Sequence, residues 1–217
     1  MRRKDPWAWW LFALSGAAGF LSFLAYLGYG YLDSWHGLAT VALLPCFGLG
    51  LVRSARDFAL PGMSAALRQP GERVRWLSTY GLGKACLLGT ALGLIGGGAV
   101  ILGVGTTSVF VPEDLAYMGL EVEELHAFNP RLVPLIAHDR AGFGGCVCTC
   151  GIVIFFCVWC GTPSRPLWLA LCLAGVAGFV PAIAVHFIVG YDNLFHLAPA
   201  VTGCVIYTLG LLLTRAR

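Results

Sequence analysis

Apolar residues along the chain are gathered into six long blocks that are separated by shorter polar segments. The blocks cover residues 8–29, 35–52, 85–104, 143–160, 167–189 and 197–213. Each is close to the roughly 20 residues that a helix needs to cross about 30 Å of hydrocarbon. Because the blocks do not alternate between apolar and polar residues, a membrane β-barrel is excluded. The pattern predicts an all-α polytopic transmembrane helical bundle with six spans, built as one membrane domain over residues 1–217.

The polar segment 106–142, between the third and fourth spans, is too long for a simple connection. Pro112, two acids and a later Gly119 are typical of the start and stop of a short helix. Residues 121–128 indicate a second short helix, which Asn129 ends. We therefore expect a short-helical outer cap that lies in the membrane interface.

Composition supports a membrane location. Of 217 residues, 58% are hydrophobic and 12% are charged, whereas a soluble domain carries roughly 25% charged residues. The chain has no basic aromatic surface of the kind that binds nucleic acid. The lipid bilayer is therefore the expected environment, and no nucleic-acid partner is expected.

The distribution of charge predicts an orientation, because lysine and arginine are retained on the cytoplasmic side of a membrane. With the N-terminus inside, twelve of the fourteen basic residues fall on inner segments, including the loop 53–83. Eight of the eleven acids then fall outside. The sequence predicts an inner (plasma) membrane protein with both termini in the cytoplasm.

Two spans carry ladders of small residues, which allow helices to approach closely in lipid. The ladders are Ala85, Gly89, Gly93 and Gly97 in the third span, and Ala170, Ala174, Gly178 and Ala182 in the fifth. We expect these helices at the centre of the bundle. The ladders could pack within the chain or against other membrane subunits.

Nine cysteines all fall in predicted spans. Cys146, Cys150, Cys157 and Cys160 project along one stripe of the fourth span. A buried cysteine behaves as a small hydrophobe, which favours packing. Metal or redox use is the alternative.

All five histidines lie on or near the predicted outer side. His138, Asp139 and Arg140 precede a glycine-rich stretch at the start of the fourth span, near Phe143. Unpaired N–H groups at a helix N-terminus, together with an arginine, can bind phosphate or carboxylate. We therefore predict an anionic-ligand site there. The alternative is an ion pair between Asp139 and Arg140.

A second group, His186, Asp192 and His196, brackets the outer turn between the last two spans. Imidazole combined with carboxylate suits zinc, iron or manganese, and a histidine pair can ligate haem. A transition metal or haem is therefore the predicted cofactor. Alternatively, these histidines only form hydrogen bonds that hold the cap in place.

The sequence thus favours an extracytoplasmic His/Asp-rich site for a metal or an anionic ligand, and it does not specify a reaction. One alternative is a non-catalytic accessory or structural subunit of a larger membrane complex. Another is an interfacial lipid-modifying enzyme with histidine as general base. No Asp, Glu, Lys or Arg lies in the middle of a span, which disfavours a proton-coupled pump.

Overall fold

The computed structural model describes residues 5–25, 34–58, 62–68 and 70–215. Within these ranges the chain is all-α, with nine helices and no strand. The helices are α1 (Pro6–Ala25), α2 (Ser34–Asp57), α3 (Met63–Leu67), α4 (Thr79–Gly105), α5 (Pro112–Met118), α6 (Val122–Phe128), α7 (Leu132–Cys160), α8 (Arg165–Val189) and α9 (Leu194–Thr214).

Six helices, α1, α2, α4, α7, α8 and α9, are long and apolar enough to cross a membrane. Each predicted span lies within one of them, except that residues 26–29 of the first span lie outside the described residues. The predicted all-α bundle of six candidate spans is confirmed. This architecture indicates a multi-pass membrane protein.

The predicted cap helices are α5 and α6. Helix α5 begins at Pro112, and the Val111 N–H donates a 2.9 Å hydrogen bond to Asp114 Oδ2. It ends at Gly119, whose left-handed φ of 63° is a conformation that glycine adopts without steric cost. Helix α6 ends before Asn129, as the sequence predicts. The cap packs on α7 through a small core of buried residues, Val109, Phe110, Leu125, Val133 and Ala137.

The chain divides into two compact units. Unit 1 comprises residues 1–66 and 94–153, and unit 2 comprises residues 67–93 and 154–217. The division falls within α3, α4 and α7.

In unit 1, α1 packs on α2. The Trp9 indole N–H lies 3.2 Å from the Leu51 carbonyl oxygen and 3.1 Å from Ser54 Oγ. The Phe47 ring occupies the space next to Gly16, where a side chain would overlap it. An aromatic ring against a glycine and a satisfied indole N–H together hold this helix pair.

Helices α4 and α7 approach closely in unit 1 through glycine. A Cβ atom added to Gly98 would lie 2.6 Å from the Gly144 carbonyl oxygen, and one added to Gly144 would lie 2.7 Å from the Gly98 carbonyl oxygen. Further along, a Cβ atom at Gly105 would lie 2.8 Å from the backbone nitrogen of Ala141. These contacts are backbone to backbone, so only glycine fits at Gly98 and Gly144.

The packing face of α4 differs from the predicted ladder. Gly89, Gly93 and Gly97 are exposed, and a Cβ atom at each would meet none of the described residues within 4 Å. Gly178 of the α8 ladder is likewise exposed and open. Of the two alternatives for the ladders, packing within the chain does not apply to these glycines, because the packed face of α4 repeats every seven residues through Gly98 and Gly105.

The cysteine stripe is not a uniform packing surface either. Cys146 and Cys150 are exposed, whereas Cys160 is buried. The backbone of Cys148, a residue outside the stripe, lies against Gly98.

In unit 2, α8 packs on α9. The Tyr207 side chain is almost fully buried, its ring lies against Gly175, and its hydroxyl donates a 2.8 Å hydrogen bond to the Leu171 carbonyl. The Trp168 indole N–H donates a 3.0 Å hydrogen bond to the Leu211 carbonyl. Both polar atoms are thus satisfied within an otherwise apolar helix pair.

Unit 2 also contains a segment, residues 67–78, that packs on the end of α7. The Trp159 indole N–H donates to the Leu67 carbonyl at 2.7 Å, and the Gly71 N–H donates to the Trp159 carbonyl at 3.0 Å. The Trp76 ring stacks on the Trp159 ring with centroids 6.2 Å apart. Trp159 therefore fixes this segment from both its backbone and its side chain.

Candidate functional site

Two helix ends build a cluster of aromatic rings at one end of unit 2. Helix α8 ends with Gly190 in a left-handed conformation, φ 74°, and the Asn193 side chain then accepts hydrogen bonds from the N–H groups of residues 195 and 196. This tight turn places His186, in the last turn of α8, beside His196, in the first turn of α9. We call His186, Tyr191 and His196 the turn cluster.

The three rings of the turn cluster contact one another. The centroids of the two imidazoles are 5.4 Å apart, and the Tyr191 ring lies 4.7 Å from His196 and 5.9 Å from His186. Both histidines are partly buried. The structure thus brings together two of the three residues that were predicted to bind a metal.

Hydrogen bonding fixes the tautomer of His186. Its Nδ1 lies 2.7 Å from the Ala182 carbonyl oxygen. A carbonyl can only accept, so Nδ1 carries the hydrogen, and in the neutral ring Nε2 keeps its lone pair. The Nδ1 atom of His196 lies 3.4 Å from the Tyr191 hydroxyl. His186 therefore offers Nε2 as an acceptor or as a metal ligand.

Asp192, the third predicted ligand, is exposed in the turn. It makes no hydrogen bond or ion pair with either imidazole in the part of the chain that the structure describes. Across the same residues, no three His, Cys, Asp or Glu side chains are grouped closely enough to hold a metal ion. The imidazole pair is assembled, and the predicted triad is not.

The other predicted site lies in unit 1. His138 Nδ1 is 2.8 Å from Asp139 Oδ1, and the His138 side chain is 14% exposed whereas that of Asp139 is 71% exposed. The imidazole of His36 lies with its centroid 5.0 Å from that of His138, in an edge-on arrangement. Both histidines were predicted to lie on the outer side. Their contact was not predicted, because it depends on how α2 packs against α7.

Arg140 has a different partner from the one considered. Its Nη1 lies 2.7 Å from Oδ2 of Asp114, a buried cap residue, and not beside Asp139. The alternative of an ion pair between Asp139 and Arg140 is therefore wrong. Because successive residues on a helix point about 100° apart, Asp139 turns towards solvent while Arg140 turns towards the cap. Arg140 ties α5 to α7.

The backbone around His138 is also different from the expectation. Helix α7 begins at Leu132, so His138, Asp139 and Arg140 and the glycines that follow lie inside a continuous helix. Their N–H groups are donors to the preceding turn and are not the unpaired groups of a helix N-terminus. The helix-terminus argument for an anion site at Phe143 is wrong. The roles of His138, Asp139 and Arg140 in binding a ligand stay a prediction.

No family model matches the chain, and no match was found among the curated proteins or the solved structures. Fold and side-chain geometry alone therefore support the function proposed below.

Proposed function

We propose that this chain is a plasma-membrane protein that binds a transition-metal ion at the turn cluster, on the extracytoplasmic side. His186 and His196 supply the two preformed ligands, and Asp192 supplies the third. The observation that carries the proposal is the paired imidazoles with His186 Nδ1 anchored to the Ala182 carbonyl.

The spacing of the rings fits a shared ion. Zinc–nitrogen bonds of about 2.0–2.1 Å in a tetrahedral geometry place the centroids of two imidazole ligands about 5 Å apart. The centroids of His186 and His196 are 5.4 Å apart. The distance between the two centroids therefore suits two imidazole ligands of one ion.

The anchoring of His186 is the second support. Histidines that bind metals almost always donate their other ring N–H to a carbonyl, a carboxylate or water, which fixes the ring and raises its basicity. The hydrogen bond from His186 Nδ1 to Ala182 has this form. The same bond shows that the ring is held by its own helix.

Asp192 is the third ligand in this proposal because of its position in the chain. It lies between Gly190, which ends α8, and Asn193, which caps α9, so it is part of the turn that joins the two histidines. Three protein ligands leave the fourth position of a tetrahedral site to water or to a substrate, as in catalytic zinc sites. Because Asp192 is exposed, metal binding would draw it inward.

The charge distribution supports the orientation. Twelve of fourteen basic residues lie on the side that carries the N-terminus in a six-span topology. The α8–α9 turn is on the opposite side, and positive residues are retained in the cytoplasm. The turn cluster therefore faces the exterior.

Metal titration of the detergent-purified full chain tests the proposal. Wild-type protein is expected to retain about one Zn²⁺ after gel filtration and to give a visible ligand-field band with Co²⁺. The variant with His186→Ala and His196→Ala should lose both signals, and His126→Ala is the matched control because His126 lies in α6 of the cap. Equal metal retention in the double variant, or no retention by wild type, refutes the site.

A second candidate function is an accessory subunit of a larger membrane complex. The specific observation is that Gly89, Gly93 and Gly97 of α4 form an exposed face with open space above it. Small residues on one helix face are typical of close helix contacts in lipid. Replacing Gly93 with Leu should then release a stoichiometric partner on co-purification without loss of folded protein, and persistence of the partner contradicts this role.

A further inference from the structure

Four helix ends line a half-open cavity at the end of unit 2 that lies away from the turn cluster. The cavity lies where α4 and α8 begin and where α7 and α9 end, and it has a volume of about 40 Å³. We call it the lysine cavity. Its lining includes Tyr80, Lys84, Ser164, Leu167, Trp168 and Thr214.

Lys84 is the charged residue of this cavity, and it is only 2% exposed. Its Nζ lies 3.5 Å from the Glu72 carbonyl oxygen and 5.6 Å from the centroid of the Trp159 ring. An ammonium has three N–H donors, and good N–H···O bonds are about 2.7–3.2 Å long. One long hydrogen bond and a ring contact use only part of the donor capacity of Lys84.

A buried ammonium is costly unless negative charge and acceptors surround it. The Glu72 carboxylate attracts Lys84, but the hydrogen bond in the structure goes to the Glu72 main chain. A negatively charged ligand in the cavity would supply the Lys84 ammonium with further hydrogen-bond acceptors and opposite charge. The lysine cavity therefore has the electrostatics of an anion site.

The N-terminus of α8 also adds positive potential to the lysine cavity. Ser164 is the N-cap of α8, and its Oγ accepts a 3.4 Å hydrogen bond from the Leu167 N–H. Its hydroxyl hydrogen stays available as a donor, since a hydroxyl both donates and accepts. The N-terminus of a helix carries partial positive charge from the aligned peptide dipoles. Lys84 and the α8 terminus thus line one cavity with positive potential.

The size and the lining indicate which anion fits. A water needs about 10–15 Å³ of such space, so about 40 Å³ accommodates three water-sized groups. A phosphate ester presents up to three free acceptor oxygens. Leu87, Leu167 and Leu171 also line the cavity, so an apolar chain could continue from the anion along the helices.

We propose that the lysine cavity binds a phosphate group through the Lys84 ammonium and the Ser164 hydroxyl. The group belongs to a membrane phospholipid or to a soluble phosphate ester, which share this chemistry. The site is independent of the turn cluster, because no residue is common to the two.

Binding measurements on the full chain in detergent test the proposal. Calorimetric titration with glycerol 3-phosphate and native mass spectrometry with phosphatidic acid, against phosphatidylcholine as the zwitterionic comparison, separate the two sources. Binding to phosphatidic acid alone assigns the lipid, and binding to glycerol 3-phosphate assigns the soluble ester. Lys84→Met should weaken the phosphate ligand that binds by at least about tenfold, the size expected for one charge-assisted hydrogen bond.

Two further variants control for a general loss of positive charge and for misfolding of Lys84→Met. Arg75→Gln removes an exposed basic residue from the same segment and should leave affinity unchanged. Glu72→Gln keeps the carbonyl that Lys84 contacts but removes a competing carboxylate, so it should tighten binding several-fold even if Lys84→Met fails to fold. Wild-type protein that binds neither probe, or a Glu72→Gln variant that binds no more tightly than wild type, overturns the proposal.

Discussion

The close approach of α4 and α7 at Gly98 predicts opposite effects for two neighbouring substitutions. In Gly98→Ala, the new methyl group would lie 2.6 Å from the Gly144 carbonyl oxygen, and it would also overlap the backbone nitrogen of Cys148. In Gly97→Ala, the methyl group meets nothing within 4 Å. Both variants therefore replace a glycine of α4 with alanine, and they differ only in the helix face on which the methyl group lies.

The magnitude follows from two terms. Alanine is favoured over glycine in a helix by about 1 kcal/mol, which applies to both variants. Overpacking costs roughly 1–3 kcal/mol, and the upper end applies at Gly98 because the atoms in the way are backbone and cannot rotate aside. We expect Gly97→Ala to be stabilised by about 1 kcal/mol and Gly98→Ala to be destabilised by about 2 kcal/mol.

The assay is reversible unfolding of the purified protein by a denaturing detergent, followed by circular dichroism. Gly144→Ala should resemble Gly98→Ala, and the double variant should cost less than the sum, because both substitutions separate the same two helices. A difference of less than about 0.5 kcal/mol between Gly98→Ala and Gly97→Ala, within the usual spread for surface changes, would refute this helix contact.

Three other substitutions test local features of the fold. Asp114→Ala should destabilise the cap by roughly 1–3 kcal/mol, because it leaves Arg140 without its carboxylate partner, and hydrogen exchange should quicken in α5 and α6 while unit 2 is unchanged. Gly119→Ala should cost about 1–2 kcal/mol at a left-handed position, measured as the unfolding midpoint; an unaltered midpoint would contradict the φ of 63°. Trp159→Phe removes the indole donor to the Leu67 carbonyl, so limited proteolysis should cut the segment 67–78 faster, and an unchanged rate would show that this hydrogen bond does not hold it.

Local patterns in the sequence predicted much of the fold. Blocks of apolar residues locate the long helices because hydrocarbon thickness fixes their length. Pro112 and Gly119 locate α5 because helix ends have strong local preferences. In contrast, the start of α7 was missed, because a helix that continues beyond the apolar block through His138 and Arg140 has no local signal for its first residue.

Features that depend on which helix faces meet were not predictable in this way. A ladder such as Gly89, Gly93 and Gly97 shows that one helix face carries only small residues. It does not show which helix packs against that face. The pairing of Arg140 with Asp114 joins residues that are far apart in sequence. Lys84 is one of the twelve basic residues predicted on the inner side. Its burial was not predictable from local pattern, because it depends on four helix ends that meet in space. The imidazole pair was predicted because a short turn connects its two helices.

Helix α8 connects the two proposed binding sites of unit 2. Ser164, at the lysine cavity, and His186, in the turn cluster, are the two ends of one helix, about 33 Å apart at 1.5 Å per residue. That separation is close to the thickness of the hydrocarbon layer, about 30 Å. The two proposed sites would therefore lie near opposite faces of the membrane. A shift of α8 along its own axis would move the Ser164 hydroxyl and the His186 imidazole together. Ligand binding that shifts α8 at one membrane face would therefore change the position of a binding residue at the other face.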